Sequence, residues 1–228
     1  MSDDVPLFRI KICGVTSVAD AELVADSGAD AIGFNFASRS SRCVDIGPAR
    51  AMANVVQGRL LRVGVFLNHS VEEIERIAND VGLDVAQLHG DESPEFCRQL
   101  SIPVIKSLPY AGGDAQRLVD YWQRCGKGDS AGDGKLLGLL IDASVAGLYG
   151  GTGATVDWDE LAKERADLGQ IPWALAGGLH AGNVAGAIAT VRPMGVDVAS
   201  GVESAPGVKD GAKVLEFVRA AQRALDSA

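Results

Sequence analysis

Phe8-Arg9-Ile10-Lys11-Ile12-Cys13-Gly14 alternates apolar and polar residues and stops at a glycine. Strand side chains alternate faces, so Phe8, Ile10 and Ile12 share one side while Arg9, Lys11 and Cys13 share the other. An apolar outer face and a polar inner tip suit a strand of a closed β/α barrel, whose functional groups gather at the carboxyl ends of the strands. A second apolar run, Leu137-Gly138-Leu139-Leu140-Ile141-Asp142, ends on a lone carboxylate. A thiol and a carboxylate at two strand ends suit proton transfer, with the Lys11 ammonium on the Cys13 face favouring the thiolate. A buried, inert cysteine is the plainer reading of the first strand taken alone.

Strand-length apolar runs recur at 7–13, 31–36, 62–67, 85–89, 104–107, 137–142, 173–176 and 196–199. Helical patterns fall between them at 17–27, 48–57, 71–80, 93–100, 114–124, 158–167, 181–190 and 209–225. Ser70 before Val71-Glu72-Glu73 has the form of a capping box, and Ser93-Pro94-Glu95 puts proline at a first helical position. Eight such pairs predict an α/β fold of the (β/α)8 type, one barrel domain spanning 1–228. The alternative, an open doubly wound sheet, lacks its Gly-rich fingerprint after the first strand. Gly126 to Lys135, rich in Gly, Asp and Ser, reads as a surface loop on the side away from the strand carboxyl ends.

The net charge of −9 argues against a nucleic-acid partner, because binding a phosphate backbone needs clustered Lys and Arg. A small anionic substrate needs only local positive sites. No apolar run reaches bilayer length, and Met1-Ser2-Asp3-Asp4 lacks the basic and apolar parts of a signal peptide, which predicts a cytoplasmic protein with no membrane partner. Cys13, Cys43, Cys97 and Cys125 have neither zinc-site nor dithiol spacing and read as free thiols.

The polar residues at the predicted strand ends are Cys13, Asn35, Gln87, His89, Lys106, Asp142 and Asp197, which a barrel would gather at one mouth. Three glycine clusters stand at neighbouring strand ends: Tyr149-Gly150-Gly151-Thr152-Gly153, Ala176-Gly177-Gly178 and Ala199-Ser200-Gly201-Val202-Glu203. Glycines let backbone amides approach an anion, so a phosphate cradle competes here with simple tight turns. Arg39 and Arg42 follow the second strand, where a guanidinium fork could hold a carboxylate. Either arginine could equally be solvated, His89 could be a hydrogen-bonded core histidine, and Lys106 could pair with a carboxylate to stabilise the barrel.

In these residues the chain resembles the phosphoribosylanthranilate isomerase family of tryptophan biosynthesis. Lys11-Ile12-Cys13-Gly14, Val63-Gly64-Val65-Phe66 with Asn68, Gln87-Leu88-His89-Gly90, Ile141-Asp142, Gly150-Gly151-Thr152-Gly153 and Asp157-Trp158 look like its motifs. So do Leu175-Ala176-Gly177-Gly178-Leu179, Asn183-Val184, Gly195-Val196-Asp197-Val198, Ser200-Gly201-Val202-Glu203, Pro206-Gly207 and Lys209-Asp210. The resemblance implies an Amadori rearrangement of N-(5-phosphoribosyl)anthranilate with Cys13 as general base and Asp142 as general acid. It further implies that Arg42 holds the anthranilate carboxylate, that His89 and Asp197 bind substrate in the mouth, and that Gly151, Gly153, Gly177, Gly178, Ser200 and Gly201 bind phosphate. Proton transfers of this kind call for no metal and no organic cofactor. The mechanism also implies that desolvation raises the pKa of Asp142 and that Lys11 keeps Cys13 partly ionised.

Two departures from the family pattern stand out. Ser40-Ser41-Arg42 replaces the common Ser-Pro-Arg, which removes the loop geometry that proline would preset, and Ala181-Gly182 replaces a proline-containing turn. Sister barrels of histidine biosynthesis carry aspartate where this chain has Cys13, so the thiol favours the tryptophan-pathway reaction. A non-catalytic phosphosugar-binding barrel would need the phosphate cradle but not the Cys13 and Asp142 pair.

Overall fold

The structure, a computed structural model, describes residues 7–110, 112–125, 136–142 and 158–227. Eight parallel strands close into a barrel: β1 (Ile10–Cys13), β2 (Ala31–Asn35), β3 (Leu61–Phe66), β4 (Val85–Leu88), β5 (Val104–Pro109), β6 (Leu136–Asp142), β7 (Trp173–Ala176) and β8 (Gly195–Val198). Pairing of Ile10, Lys11 and Ile12 with Val196, Asp197 and Val198 shuts the ring. The surrounding helices are α1 (Val18–Ser27), α2 (Ile46–Val55), α3 (Val71–Val81), α4 (Pro94–Cys97), α5 (Ala115–Cys125), α6 (Trp158–Leu168), α7 (Val184–Val191) and α8 (Gly211–Ser227). This is the (β/α)8 barrel predicted from the alternation. The 126–135 loop lies outside the described residues.

Local chemistry explains several boundaries. Ser70 and Glu73 complete a reciprocal capping box at α3, which ends at Gly82 in the left-handed region. Pro94 opens α4 behind the Ser93 cap, but the helix is one turn rather than 93–100, because Gln99 N and Leu100 N bond back three residues instead of four. Between β8 and α8 the chain makes a 3₁₀ turn (Ser200–Val202) and a hairpin, β9 (Glu203–Ala205) with β10 (Val208–Lys209). The helix predicted from 209 therefore begins at Gly211, and Lys209 lies on a strand.

β1 is also shorter than 7–13. Ile10 and Ile12 face the helices, whereas Phe8 precedes the strand and turns inward, its ring centroid 5.6 Å from Lys11 Nζ. Arg9 points out to Asp226 on α8. Phe8 joins Ala31, Val63, Val85, Ile105, Leu137, Leu140 and Ala174 in an apolar plug inside the barrel, while a larger cluster fills the space between strands and helices.

One irregularity decides what the upper barrel contains. Val104 pairs with Leu136 but Ile105 pairs with Gly138, so β6 carries one extra residue. Leu137 and Leu140 consequently both face inward, Leu139 and Ile141 both face the helices, and Asp142 comes round to the interior. Strict alternation from Leu137 would have put Asp142 on the outer face.

Candidate active site

Above the plug, Lys11 Nζ lies 2.8 Å from Asp197 Oδ1, both groups buried, and the Cys13 thiol stands one position up the same face, within the field of the ammonium. Gly33 stands opposite Cys13 on β2, where a Cβ would lie 2.7 Å from Cys13 Sγ and 3.1 Å from Lys11 Cε; the missing side chain makes room for both. Burial opposes the Lys11 charge, but the fields of Asp197 and Cys13 outweigh it and hold its pKa above the usual value. Burial pushes the Cys13 thiol up, Lys11 pulls it down and Asp197 pushes it up again, for a net rise. The expectation that Lys11 keeps Cys13 partly ionised is thus corrected for the resting site, where desolvation outweighs the ammonium.

Asp142 closes β6 on the far side of the mouth. His89 Nε2 lies 3.2 Å from its Oδ2, and the same nitrogen is 3.5 Å from Ser107 Oγ. Gln87 Nε2 lies 3.4 Å from His89 Nδ1, while its buried Oε1 has no hydrogen-bond partner among the described residues. An imidazole so placed can accept from a protonated Asp142 or donate to its carboxylate.

Lys106 is not in the mouth. It shares the outer face of β5 with Val104 and Leu108, and its ammonium is buried against Glu92 Oε2 at 2.9 Å and Leu88 O at 3.2 Å. Glu92 in turn accepts from Asn68 N and Gly90 N. The lysine fastens the loop that carries His89 rather than meeting a ligand.

Gly177 and Gly178, both with positive φ, end β7 beside Ser200 and Gly201 after β8. Asn183 Nδ2 donates to Gly178 O and its Oδ1 accepts from His180 N, which shapes the turn although Ala181-Gly182 replaces proline. A Cβ on Gly201 would collide with Leu179 O, so that glycine is demanded by the approach of two backbone segments. Gly151 and Gly153 lie outside the described residues.

Arg39 is exposed, whereas Arg42 reaches in over Gly14 toward the Cys13 side. Its Nε and Nη2 each donate to Glu203 at 2.7 Å, and Lys209 Nζ donates to the same carboxylate at 2.8 Å. Lys209 also donates to the Cys13 and Ala199 carbonyls. The sequence shows Glu203 and Lys209 only as parts of motifs, since the link to Arg42 spans 161 positions and leaves no local pattern. Away from the mouth, Cys97 and Cys125 meet between α4 and α5 despite their spacing; the Cys125 hydrogen bond is the main reason the Cys97 pKa falls to about 7. Among the described residues no group of three or more His, Cys, Asp or Glu could hold a metal ion.

The profile of the N-(5'-phosphoribosyl)anthranilate isomerase family matches residues 10–220. The enzyme of that name from Pseudomonas putida W619 is 44% identical over 216 residues, covering 95% of this chain and 98% of its own. That of Rubrobacter xylanophilus is 45% identical over 219 residues, covering 95% and 100%. The crystal structure of the Thermotoga maritima phosphoribosyl anthranilate isomerase superposes with a TM-score of 0.83 at 36% identity, covering 95% and 100%. A phosphoribosyl anthranilate isomerase bound to reduced 1-(o-carboxyphenylamino)-1-deoxyribulose 5-phosphate superposes at 0.79 with 34% identity, covering 95% and 100%.

Proposed function

Because the chain belongs to the N-(5'-phosphoribosyl)anthranilate isomerase family, we propose that its barrel mouth works with Cys13 as general base and Asp142 as general acid. The enzyme converts N-(5-phosphoribosyl)anthranilate to 1-(2-carboxyphenylamino)-1-deoxyribulose 5-phosphate in tryptophan biosynthesis. Asp142 gives its proton to the ring oxygen as the furanose opens to a Schiff base. Cys13 takes the proton from C2 to form an enolamine, which tautomerises to the ketone. The observation that carries this assignment is the inward turn of both groups at one barrel end, Cys13 beside Lys11 and Asp142 beside His89.

Each neighbour has a part in this reading. His89 holds Asp142 in either protonation state, and the unpartnered Gln87 carbonyl offers an acceptor to a sugar hydroxyl. Asp197 acts as the counter-ion of Lys11 rather than as a direct substrate contact. Burial outweighs the pull of Lys11 on the Cys13 thiol, so the base limb of activity lies above the ordinary thiol pKa. Arg42 holds the anthranilate carboxylate, and Gly151, Gly153, Gly177, Gly178, Ser200 and Gly201 cradle the phosphate. One barrel domain over residues 1–228 and a cytoplasmic location belong to the same proposal; among the described residues no helix is long and apolar enough to cross a membrane.

The test is to follow the loss of fluorescence of freshly made N-(5-phosphoribosyl)anthranilate with the purified protein and with Cys13→Ala and Asp142→Asn. Turnover that both variants retain at the wild-type rate overturns the assignment. Binding of the phosphorylated product analogue without turnover by the wild type would instead mark a phosphosugar-binding barrel.

A further inference from the structure

Arg42 sits in a loop without the proline that would preset it, yet its place is fixed from three directions. Arg42 N donates to Ser40 Oγ at 3.1 Å and Cys43 N donates to Ser40 O at 3.1 Å, which turns the backbone. Its aliphatic stem crosses Gly14, where φ is +72° and a Cβ would collide with Arg42 Cδ. Its head meets Glu203 in a two-toothed pair, Nε to Oε1 and Nη2 to Oε2, both at 2.7 Å.

Glu203 is itself anchored. Lys209 Nζ donates to its Oε1 and to the Cys13 carbonyl, and Lys213 Nζ donates to the Glu203 backbone oxygen at 2.7 Å. The carboxylate is therefore tied to the strand that carries the base and to the turn that carries Ser200 and Gly201. Around it stand two cations, Arg42 and Lys209, so this cluster keeps a surplus positive charge. A carboxylate serving only to neutralise a buried arginine would leave no surplus. Glu203 engages Nε and one Nη2 hydrogen of a five-donor group and leaves Nη1 without a partner among the described residues.

We propose that Glu203 is a positioning residue that holds one edge of Arg42 so that the other edge receives the anthranilate carboxylate. This rests on the reading of Arg42 as the carboxylate clamp, and it assigns to an ion pair between β9 and the β2 loop the task that proline cannot perform here. A fork held at one edge presents its remaining donors in a single orientation, whereas a free arginine must be ordered at each binding event.

Calorimetry with two probes tests it: the reduced carboxyphenylamino-deoxyribulose phosphate, and the phenylamino compound that lacks only the carboxylate. Glu203→Gln should weaken the first by about tenfold or more and the second by less than about twofold, with KM raised and kcat nearly unchanged. Glu203→Asp keeps a charge beside Lys209 but falls one methylene short of the fork; it should show the same pattern and guards against loss of folding in the neutral variant. Equal weakening of both probes would reduce Glu203 to a structural role. Tighter binding of the carboxylate probe would make Glu203 a competitor of the substrate. Either result overturns the proposal. If Arg42→Met weakens the carboxylate probe while both Glu203 variants spare it, the clamp stands and the positioning role falls. If Arg42→Met spares it, both fall.

Discussion

Two buried lysine–carboxylate pairs lie on opposite sides of the barrel wall. Lys11 and Asp197 meet at 2.8 Å inside it, and Lys106 and Glu92 meet at 2.9 Å outside it. Each lysine is on a strand, each is fully buried, and each holds a single carboxylate. Lys11 shares its face with Cys13 and sets the field around a thiol, whereas Lys106 shares its face with Val104 and Leu108 and ties down the chain after β4. The same chemical pair thus does electrostatic tuning on one face of a strand and loop fastening on the other. Strand parity separates the two tasks, because neighbouring positions on a strand face opposite sides of the wall.

The largest effects should come from the two inward-facing groups to which proton transfer is assigned. Cys13→Ala and Asp142→Asn should each lower kcat by about 10² to 10⁴ while product-analogue binding persists, as read by steady-state kinetics and calorimetry. Loss of activity together with loss of binding would instead indicate a damaged fold.

Breaking the outer pair should act on stability. Lys106→Met strands the Glu92 carboxylate in a buried site and should cost roughly 3–5 kcal/mol in chemical denaturation, with kcat of the folded enzyme changed only through the His89 loop. A kcat loss comparable with that of Cys13→Ala would place Lys106 in the chemistry after all.

A more selective probe is site-resolved alkylation of Cys13 by iodoacetamide followed across pH. The thiolate is the reactive form, so a raised pKa means that labelling climbs with a midpoint above the ordinary value of about 8.5. Lys11→Met should move that midpoint further up, and Lys106→Met should leave it in place. A shared response would erase the distinction between the two faces.

The smallest effect is in acid. Burial raises the Glu92 pKa, but Lys106 and the backbone donors outweigh it and hold it below the usual value. A carboxylate depressed in the folded state stabilises fully above its unfolded pKa of about 4.3 and loses that contribution as pH falls through the folded value. Denaturation midpoints should therefore decline below about pH 4.3, and more shallowly in a Glu92→Gln variant that still folds.

Much of the candidate site is legible in the sequence because its polar residues are local to strand ends. Cys13 and Asp142 stand where an apolar run stops, and the glycine clusters mark turns whether or not a ligand is bound. Reading the β5 strand by its end places Lys106 in the mouth, and its parity places it on the outer face. Glu203 has no local signal in the sequence because its partner Arg42 lies 161 positions away. The alternating letters put Phe8 on the outer face because they continue past the true start of β1, where the chain bends in beneath Lys11.

Eight repeats of a buried strand and a helix are dictated by residue periodicity and turn chemistry, which act over a few positions and can be read without coordinates. The extra residue in β6 that swings Asp142 inward is a property of its pairing with β5. The Lys11–Asp197 bond exists only because β1 closes on β8, and the hold of Glu203 on Arg42 only because β9 folds back over the β2 loop. Such contacts are set by chain closure between distant segments, and a linear pattern carries no term for that.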